Sequence, residues 1–421
     1  MQVNHCPGSI YVHWTPVIAV FCAALTLCLL SIPAYADGGF PIIGVLHAGS
    51  HPEGVAVDTR THMVYIAYEY PSRVVGFDPG SGKVRWSVEV GDSATDVQVD
   101  SNNHRVYAIG SLFRSSQGLM LVLDGATGRT LLTANTDFGD NALALDTRRQ
   151  IVYVTTSEKG RIDVFKLATS ASGKLTVHAS TLTLGTKPEA LGVNSRLGRL
   201  YVGDGARNTV TVYDEDRGRT LATIPVADMP VQPLRVDEVS GRVYVVCTAG
   251  QELDIINGNN NSVLARVPVS PYPEGVAFNT ATDRIYVADE GNNEGNSSSQ
   301  SVGTTITVID GQSFDVLGTL RVGRSPDGVE ADPQLRRVYI SVEDSDAVVG
   351  ISDSVDLPLT PDTNFHQSAA VHQAISVLQH ATIITTLLML ATILGATLVA
   401  LLPRWRARGS LQNPPGDASF H

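Results

Sequence analysis

A chain of 421 residues with 43% apolar and 17% charged side chains can bury a sizeable core, which excludes a disordered polymer. Its 38 glycines and 21 prolines predict many turns between short strands, as an all-β protein requires. The net charge of −12 argues against a basic surface that would neutralise phosphates, so we predict no nucleic-acid partner.

The N-terminal segment has the pattern of an export signal. Residues 16–33 are nearly all apolar, and Ala34-Tyr35-Ala36 matches the small-x-small site of a signal peptidase. We therefore predict that residues 1–36 are a signal peptide. No Lys or Arg precedes the apolar run, which leaves an uncleaved membrane anchor as the alternative.

A hydrophobic-Tyr-hydrophobic triplet recurs seven times, with steps of 42 to 53 residues between the tyrosines. A period in this range, with turn signals between short β-rich runs, is typical of propeller blades. We predict an all-β, seven-bladed β-propeller of four-stranded blades over residues 37–354. The tyrosines are Tyr65, Tyr107, Tyr153, Tyr201, Tyr244, Tyr286 and Tyr339.

The first apolar strand of every repeat ends in Asp or Asn. These short side chains can accept hydrogen bonds from the backbone that follows, so we expect them to form Asx turns rather than a ligand site. The positions are Asp58, Asp100, Asp146, Asn194, Asp237, Asn279 and Asp332.

The last repeat lacks a fourth strand, because the chain leaves the repeat pattern after Ile351. Residues 42–46 have the fourth-strand pattern but precede the first repeat. We predict that this N-terminal strand completes the seventh blade, which would close the ring and hide the open sheet edges.

A second apolar segment lies near the C-terminus. Residues 381–402 carry no charge and, as a helix, are long enough to cross a hydrocarbon layer about 30 Å thick. Three arginines follow this segment, whereas no Lys or Arg lies between Arg337 and Arg404. The positive-inside rule then predicts a single-pass protein of the cell membrane, with residues 403–421 as a cytoplasmic tail and the propeller outside.

Residues 355–380 are predicted to form a tether and juxtamembrane neck, since Pro358 and Pro361 disfavour regular structure. Residues 357–361, Leu-Pro-Leu-Thr-Pro, resemble a sortase signal. Pro361 replaces the glycine that follows the cleaved bond, so sortase anchoring is only an alternative to the transmembrane span.

Two repeat motifs carry a family resemblance. Ile151-Val-Tyr-Val-Thr-Thr and Arg284-Ile-Tyr-Val-Ala-Asp, each preceded by a short apolar strand, resemble the YVTN family of β-propeller repeats, which is common in exported microbial proteins. The resemblance covers residues 40–354, although Tyr-Val-Thr-Asn itself never appears intact. It implies a propeller fold and leaves the function open, because this scaffold hosts enzymes, sensors and adhesion surfaces.

One position just before the first strand bears a side-chain oxygen in every repeat. Innermost strands surround a propeller's axis, so we predict that these side chains ring the mouth of the central channel. Converging carboxylates and amides suit hard cations and make Ca²⁺ the candidate cofactor, whereas the alternative is a set of separately solvated side chains with no ion. The ring comprises Glu53, Thr95, Asn141, Glu189, Gln232, Glu274 and Asp327.

Strand alternation predicts that the middle residue of each first strand lines the channel. Most of these residues are small, including Ala56, Gly192 and Ala277. Arg235 and Glu330 are the charged exceptions, and we expect them to form an ion pair across the channel.

The loops between second and third strands open on the same face and differ from blade to blade. The segment Tyr68-Glu-Tyr-Pro-Ser-Arg offers aromatic side chains, and residues 290–304 form a long insertion rich in Asn, Gly and Ser. Variable loops on a rigid ring are where recognition usually resides. We therefore predict a binding or scaffolding module for a protein, peptide or glycan partner.

Two other functions fit the same sequence. One is a metal-dependent enzyme of the propeller lactonase or dehydrogenase type, with an ion on Glu53, Asn141, Glu274 or Asp327 and His51 as a proton carrier. The other is a structural surface-layer component. The sequence contains no Gly-x-Ser-x-Gly elbow, His-Glu-x-x-His motif or phosphate loop, which favours the binding module.

Overall fold

The computed structural model describes residues 34–35, 41–114, 117–137, 140–156, 159–231, 234–291 and 302–353. These residues form seven antiparallel sheets, six of four strands and one of five. The seven-bladed propeller predicted from the triplets is thereby confirmed. The predicted tether, transmembrane span and tail, and nearly all of the signal peptide, lie outside the described residues. Within the described part, no helix is long and apolar enough to span a membrane.

Blades are numbered here in chain order, and four consecutive strands build each of the first six. Blades 1 to 3 contain β3 Ser50–Val57, β4 Val64–Tyr70, β5 Arg73–Asp78, β6 Lys83–Glu89; β7 Ser93–Asp100, β8 Arg105–Leu112, β9 Gln117–Asp124, β10 Thr130–Asp137; and β11 Asp140–Asp146, β12 Ile151–Thr156, β13 Arg161–Thr169, β14 Leu175–Leu182. Blades 4 to 6 contain β15 Pro188–Asn194, β16 Arg199–Asp204, β17 Thr209–Asp214, β18 Arg219–Pro225; β19 Arg235–Val236, β20 Arg242–Cys247, β21 Glu252–Asn257, β22 Ser262–Pro268; and β23 Pro273–Asn279, β24 Arg284–Gly291, β25 Val302–Asp310, β26 Val316–Arg321.

Blade 7 joins the two ends of the propeller. It contains β27 Pro326–Asp332, β28 Arg337–Val342, the 3-10 helix Glu343–Ser345 and β29 Ala347–Ser352. The N-terminal strand β2 Pro41–Leu46 pairs with β29, which confirms the predicted closure. The short strand β1 Ala34–Tyr35, at the end of the predicted signal peptide, adds a fifth strand beside β2. Four strands therefore remain in blade 7 without β1.

The triplet tyrosines lie in the second strand of every blade, and each is at most 3% exposed. Tyr65 shows how they join neighbouring blades. Its hydroxyl donates to the carbonyl oxygen of Gly125 in blade 2 at 3.2 Å, and Trp86 donates to the same oxygen from its Nε1 at 2.9 Å. Gly128, with a φ of +71°, must lack a Cβ, since one would lie 2.7 Å from the Trp86 ring.

The predicted Asx turns are present in all seven blades. Each Asp or Asn accepts a hydrogen bond from a backbone N–H two or three residues further on, as from Arg60 to Asp58 at 2.9 Å. The second carboxylate oxygen often reaches the next blade. His62 Nδ1 lies 2.7 Å from Asp332 Oδ2, which ties blade 1 to blade 7. These Asp and Asn side chains thus stabilise both the turns and the ring.

The small residues predicted to line the channel are instead buried between blades. Ala56 packs with Val97 of blade 2, and Ala277 packs with Val329 of blade 7. A Cβ on Gly192 would collide with Leu234 of blade 5. Both faces of an innermost strand meet a neighbouring blade near the axis, and small side chains there let the inner strands converge.

Candidate functional site

The predicted mouth ring coincides with a β-bulge in the innermost strand. In blade 1, for example, the ladder skips from the Pro52–Tyr68 pair to the Val55–Ile66 pair, which leaves Glu53 and Gly54 without partners. A bulge releases a residue from the ladder and redirects its side chain. The ring residues that fall in such skips are Glu53, Thr95, Asn141, Glu189, Glu274 and Asp327. Gln232 lies outside the described residues.

Hydroxyl groups from the preceding blade hold two of the bulges. Ser341 of blade 7 donates to the backbone oxygen of Glu53 at 2.5 Å, and Thr248 of blade 5 donates to that of Pro273 at 2.8 Å. These bonds satisfy backbone oxygens close to the skipped positions. The backbone of the mouth is therefore fixed by contacts between blades, which the sequence pattern did not indicate.

Three ring carboxylates interact across consecutive blades. Burial, together with the charges of Glu290, Glu343 and Asp96, raises the pKa of Asp327 in blade 7 to about 8. Burial also raises the pKa values of Glu53 and Glu274 well above the ordinary value, and Asp327 is the strongest charge acting on both. Each side chain still touches solvent, as expected in an enclosed but open mouth.

A second tier of carboxylates lies in the same three blades. Glu69, Glu290 and Glu343 each follow the residue that pairs with the proline of the bulge, at the end of the second strand. Each also lies 16 residues after a ring carboxylate, a repeated spacing that could have revealed this tier from the sequence. We call the two tiers together the acidic patch: Glu53, Glu69, Glu274, Glu290, Asp327 and Glu343.

The rest of the ring is less charged. Glu189 is buried and its Oε1 lies 2.5 Å from Lys187 Nζ, so its charge is paired. Thr95 carries no charge, and its hydroxyl is buried without a hydrogen-bond partner in the described part of the chain. The side chain of Asn141 lies outside the described residues. The acidic side chains of the predicted mouth are therefore concentrated on blades 6, 7 and 1.

Arg235 and Glu330 form an ion pair inside the ring, with 3.2 Å between Arg235 Nη2 and Glu330 Oε2. The pair connects blade 5 to blade 7 past blade 6. The charge of Arg235 also acts on Asp96 of blade 2. Burial raises the pKa of Asp96 to about 6 against the opposing effect of this charge. Asp96 in turn accepts a hydrogen bond from the backbone N–H of Leu143 in blade 3, at 3.1 Å.

Glu53, Glu274 and Asp327 do not come within ligating distance of one another as a group in the described part of the chain. A different set does. His51, Glu69 and Glu343 place ligand atoms within 4.8 Å of one another, and His51 Nδ1 lies 2.9 Å from Glu343 Oε1.

Large apolar side chains are exposed on the face that carries the acidic patch. Tyr70 is 52% exposed, Phe113 54% and Met229 40%, all in or beside connections on this face. The sequence predicts Tyr68 in this loop, but the residue lies within β4 and is fully buried. Strand β4 continues to Tyr70, which pairs with Ser50 at the open end of the ladder, whereas Tyr68 lies further inside the blade.

Fold and site together define a β-propeller repeat protein whose predicted mouth face is acidic and partly apolar. A family model described as outer membrane protein assembly factor BamB matches residues 50–176, which span blades 1 and 2 and most of blade 3. No curated protein matches the chain. The family match supports the propeller class predicted from the repeats, under a different description from the YVTN family.

Proposed function

We propose that the protein is a binding or scaffolding module, anchored in the cell membrane with its propeller outside the cytoplasm, that holds a protein or peptide on its mouth face. The observation that carries this proposal is the pairing of the acidic patch with exposed Tyr70, Phe113 and Met229 on one face. Aromatic residues and Met are enriched where proteins meet.

The charge of the patch favours a basic partner. The charges that act most strongly on Glu53, Glu274 and Asp327 are other carboxylates. Lys or Arg side chains of a partner would relieve this repulsion and steer the encounter. An extended segment with basic and apolar side chains therefore fits this face better than a neutral glycan does.

Two further observations support the proposal. The matched family model is described as an outer membrane protein assembly factor, which favours a protein as the partner. The uncharged span of residues 381–402 and the arginines that follow it favour a membrane anchor with the propeller outside.

Site-specific photo-crosslinking in intact cells tests the mouth face. A photoreactive amino acid at Phe113 or Met229 should yield the same crosslinked protein band, because both positions are exposed on this face. The matched control is Val239, which is 86% exposed in the β19–β20 turn at the opposite end of the blades. Equal crosslinking at Val239, or crosslinking at Val239 alone, would refute the proposal.

Charge substitutions test the same face independently. The double variant Glu274→Gln with Asp327→Asn should reduce crosslinking at Phe113 severalfold, since it removes two carboxyl groups that the charge of a basic partner would keep ionised. Raising the salt concentration should weaken the wild-type crosslink and affect the variant less. A crosslink that responds to neither change would exclude a basic partner.

A further inference from the structure

We propose that His51, Glu69 and Glu343 bind one divalent transition-metal ion of the Zn²⁺ class between blades 1 and 7. His51 lies in β3 and Glu69 in β4, both in blade 1, whereas Glu343 begins the 3-10 helix of blade 7. Their ligand atoms lie within 4.8 Å of one another. The site is separate from the ring position predicted to hold Ca²⁺.

The ligand set favours a particular class of ion. Zn²⁺ is commonly held by three protein ligands drawn from His and carboxylates, with water in the fourth position. His51 Nδ1 and Glu343 Oε1, 2.9 Å apart, are close enough to share one ion. Ca²⁺ would need six to eight oxygen ligands, whereas an imidazole nitrogen suits zinc and its neighbours in the periodic table.

The surroundings hold these ligands in place. The backbone N–H of His51 donates to Asp346 Oδ1 at 3.1 Å, and His47 Nδ1 lies 2.9 Å from the backbone oxygen of Asp346. The two contacts fasten the segment after Glu343 to the start of β3. The Tyr70 ring meets the His51 ring edge-on, with centroids 5.7 Å apart. Such outer contacts orient metal ligands before an ion arrives.

The local charge also favours a cation. Glu53 is enclosed beside this group, and the charges of Glu69 and Glu343 both act on it. A divalent ion held by these side chains would offset the negative charge that Glu53, Glu69 and Glu343 place here.

An ion here would reinforce the closure of the ring. Blade 7 is completed by β2, and the chain enters blade 1 directly after it. Ligands from both blades would make the ion a second link at this junction. Because it binds the folded protein alone, the ion should also raise the unfolding temperature.

Zinc titration of the full-length protein tests the proposal. The protein is purified in detergent micelles, stripped with a chelator and titrated with ZnCl₂ by calorimetry, with no partner present. We expect one zinc ion per chain and a higher unfolding temperature with zinc. His51→Gln and Glu343→Gln should each weaken zinc binding by about tenfold or more, because each removes a direct ligand.

Matched controls separate this site from general attraction to an acidic protein. His178→Gln and Glu89→Gln remove an exposed histidine and an exposed glutamate on outer strands, and zinc affinity should stay within about twofold. Glu69→Gln supplies a third ligand variant in case another fails to fold, as judged by circular dichroism. Absence of zinc binding, or equal losses in the ligand and control variants, would overturn the proposal. Either result leaves the crosslinking test of the mouth face unaffected.

Discussion

Single buried carboxyl groups should make the stability of this propeller depend on pH. Asp289 in β24 is 1% exposed, accepts a hydrogen bond from the Thr307 hydroxyl at 2.8 Å, and has a second oxygen with no partner in the described residues. Burial raises its pKa from 3.8 to about 7, against the hydrogen bonds from Thr307, Ser270 and Thr305. The folded protein therefore keeps a proton here that the unfolded chain releases.

Substitution of Asp289 tests the sign of this effect. Between about pH 4 and pH 7 the unfolded chain loses the proton first, so the free energy of unfolding should fall as the pH rises, by up to about 4 kcal/mol from this group. Asp289→Asn cannot ionise and should remove that part of the slope. Urea unfolding across this pH range measures it.

The control for this prediction is Asp315→Asn in the β25–β26 turn of the same blade, which removes an exposed carboxyl group. Its unfolding curve should follow that of the wild-type protein at every pH. A wild-type slope retained in Asp289→Asn would show that Asp289 is ionised in the folded protein.

Among the strands, β2 completes the last blade and so closes the ring. It pairs with β29 through Ile42–Ile351 and Leu46–Val348, and both of these β2 side chains are half-buried against the core. Ile43 and Val45 point outward and are exposed. Without β2, β29 would present an unpaired edge to solvent and to other chains.

Truncation tests this role. A chain that begins at His47 should lose roughly 3 kcal/mol or more of stability from Ile42 and Leu46 alone and should aggregate through the β29 edge. A chain that begins at Asp37 keeps β2 but lacks β1, and it should unfold like the full propeller. Urea unfolding and sedimentation distinguish the two. Equal stability of both chains would contradict a closing role for β2.

At the scale of the whole molecule, the two apolar ends predict where the propeller lies. Cys247 is the only cysteine after residue 28, and it is fully buried, with its thiol pKa raised by burial. New cysteines can therefore report on exposure against a low background. Val239, at 86% exposed, suits the propeller, and Ser410 lies in the predicted tail.

Labelling with a membrane-impermeant maleimide tests the placement. Val239→Cys should react in intact cells, because the positive-inside rule puts the propeller outside the cytoplasm. Ser410→Cys should react only after the membrane is permeabilised. The reverse pattern, or labelling of both positions in intact cells, would contradict the predicted orientation.

The sequence by itself determined the repeat, the Asx turns and the closing strand, because each depends on local pattern: a triplet period, an Asp or Asn at a strand end, an unmatched fourth strand. It also found Glu53, Glu274 and Asp327, since the repeats align on them. The 16-residue spacing to Glu69, Glu290 and Glu343 is visible in the sequence. Only the strand pairing shows that it puts both tiers of carboxylates at the same end of the blades.

Only the tertiary structure decided which side chains meet. His51 and Glu343 are 292 residues apart in the chain and become neighbours because ring closure puts blade 7 beside blade 1. The packing of neighbouring blades likewise buries Ala56 against blade 2 and Ala277 against blade 7 rather than along the channel. Periodicity fixes the structure of one blade, whereas the distance between side chains of different blades depends on how all seven pack around the axis.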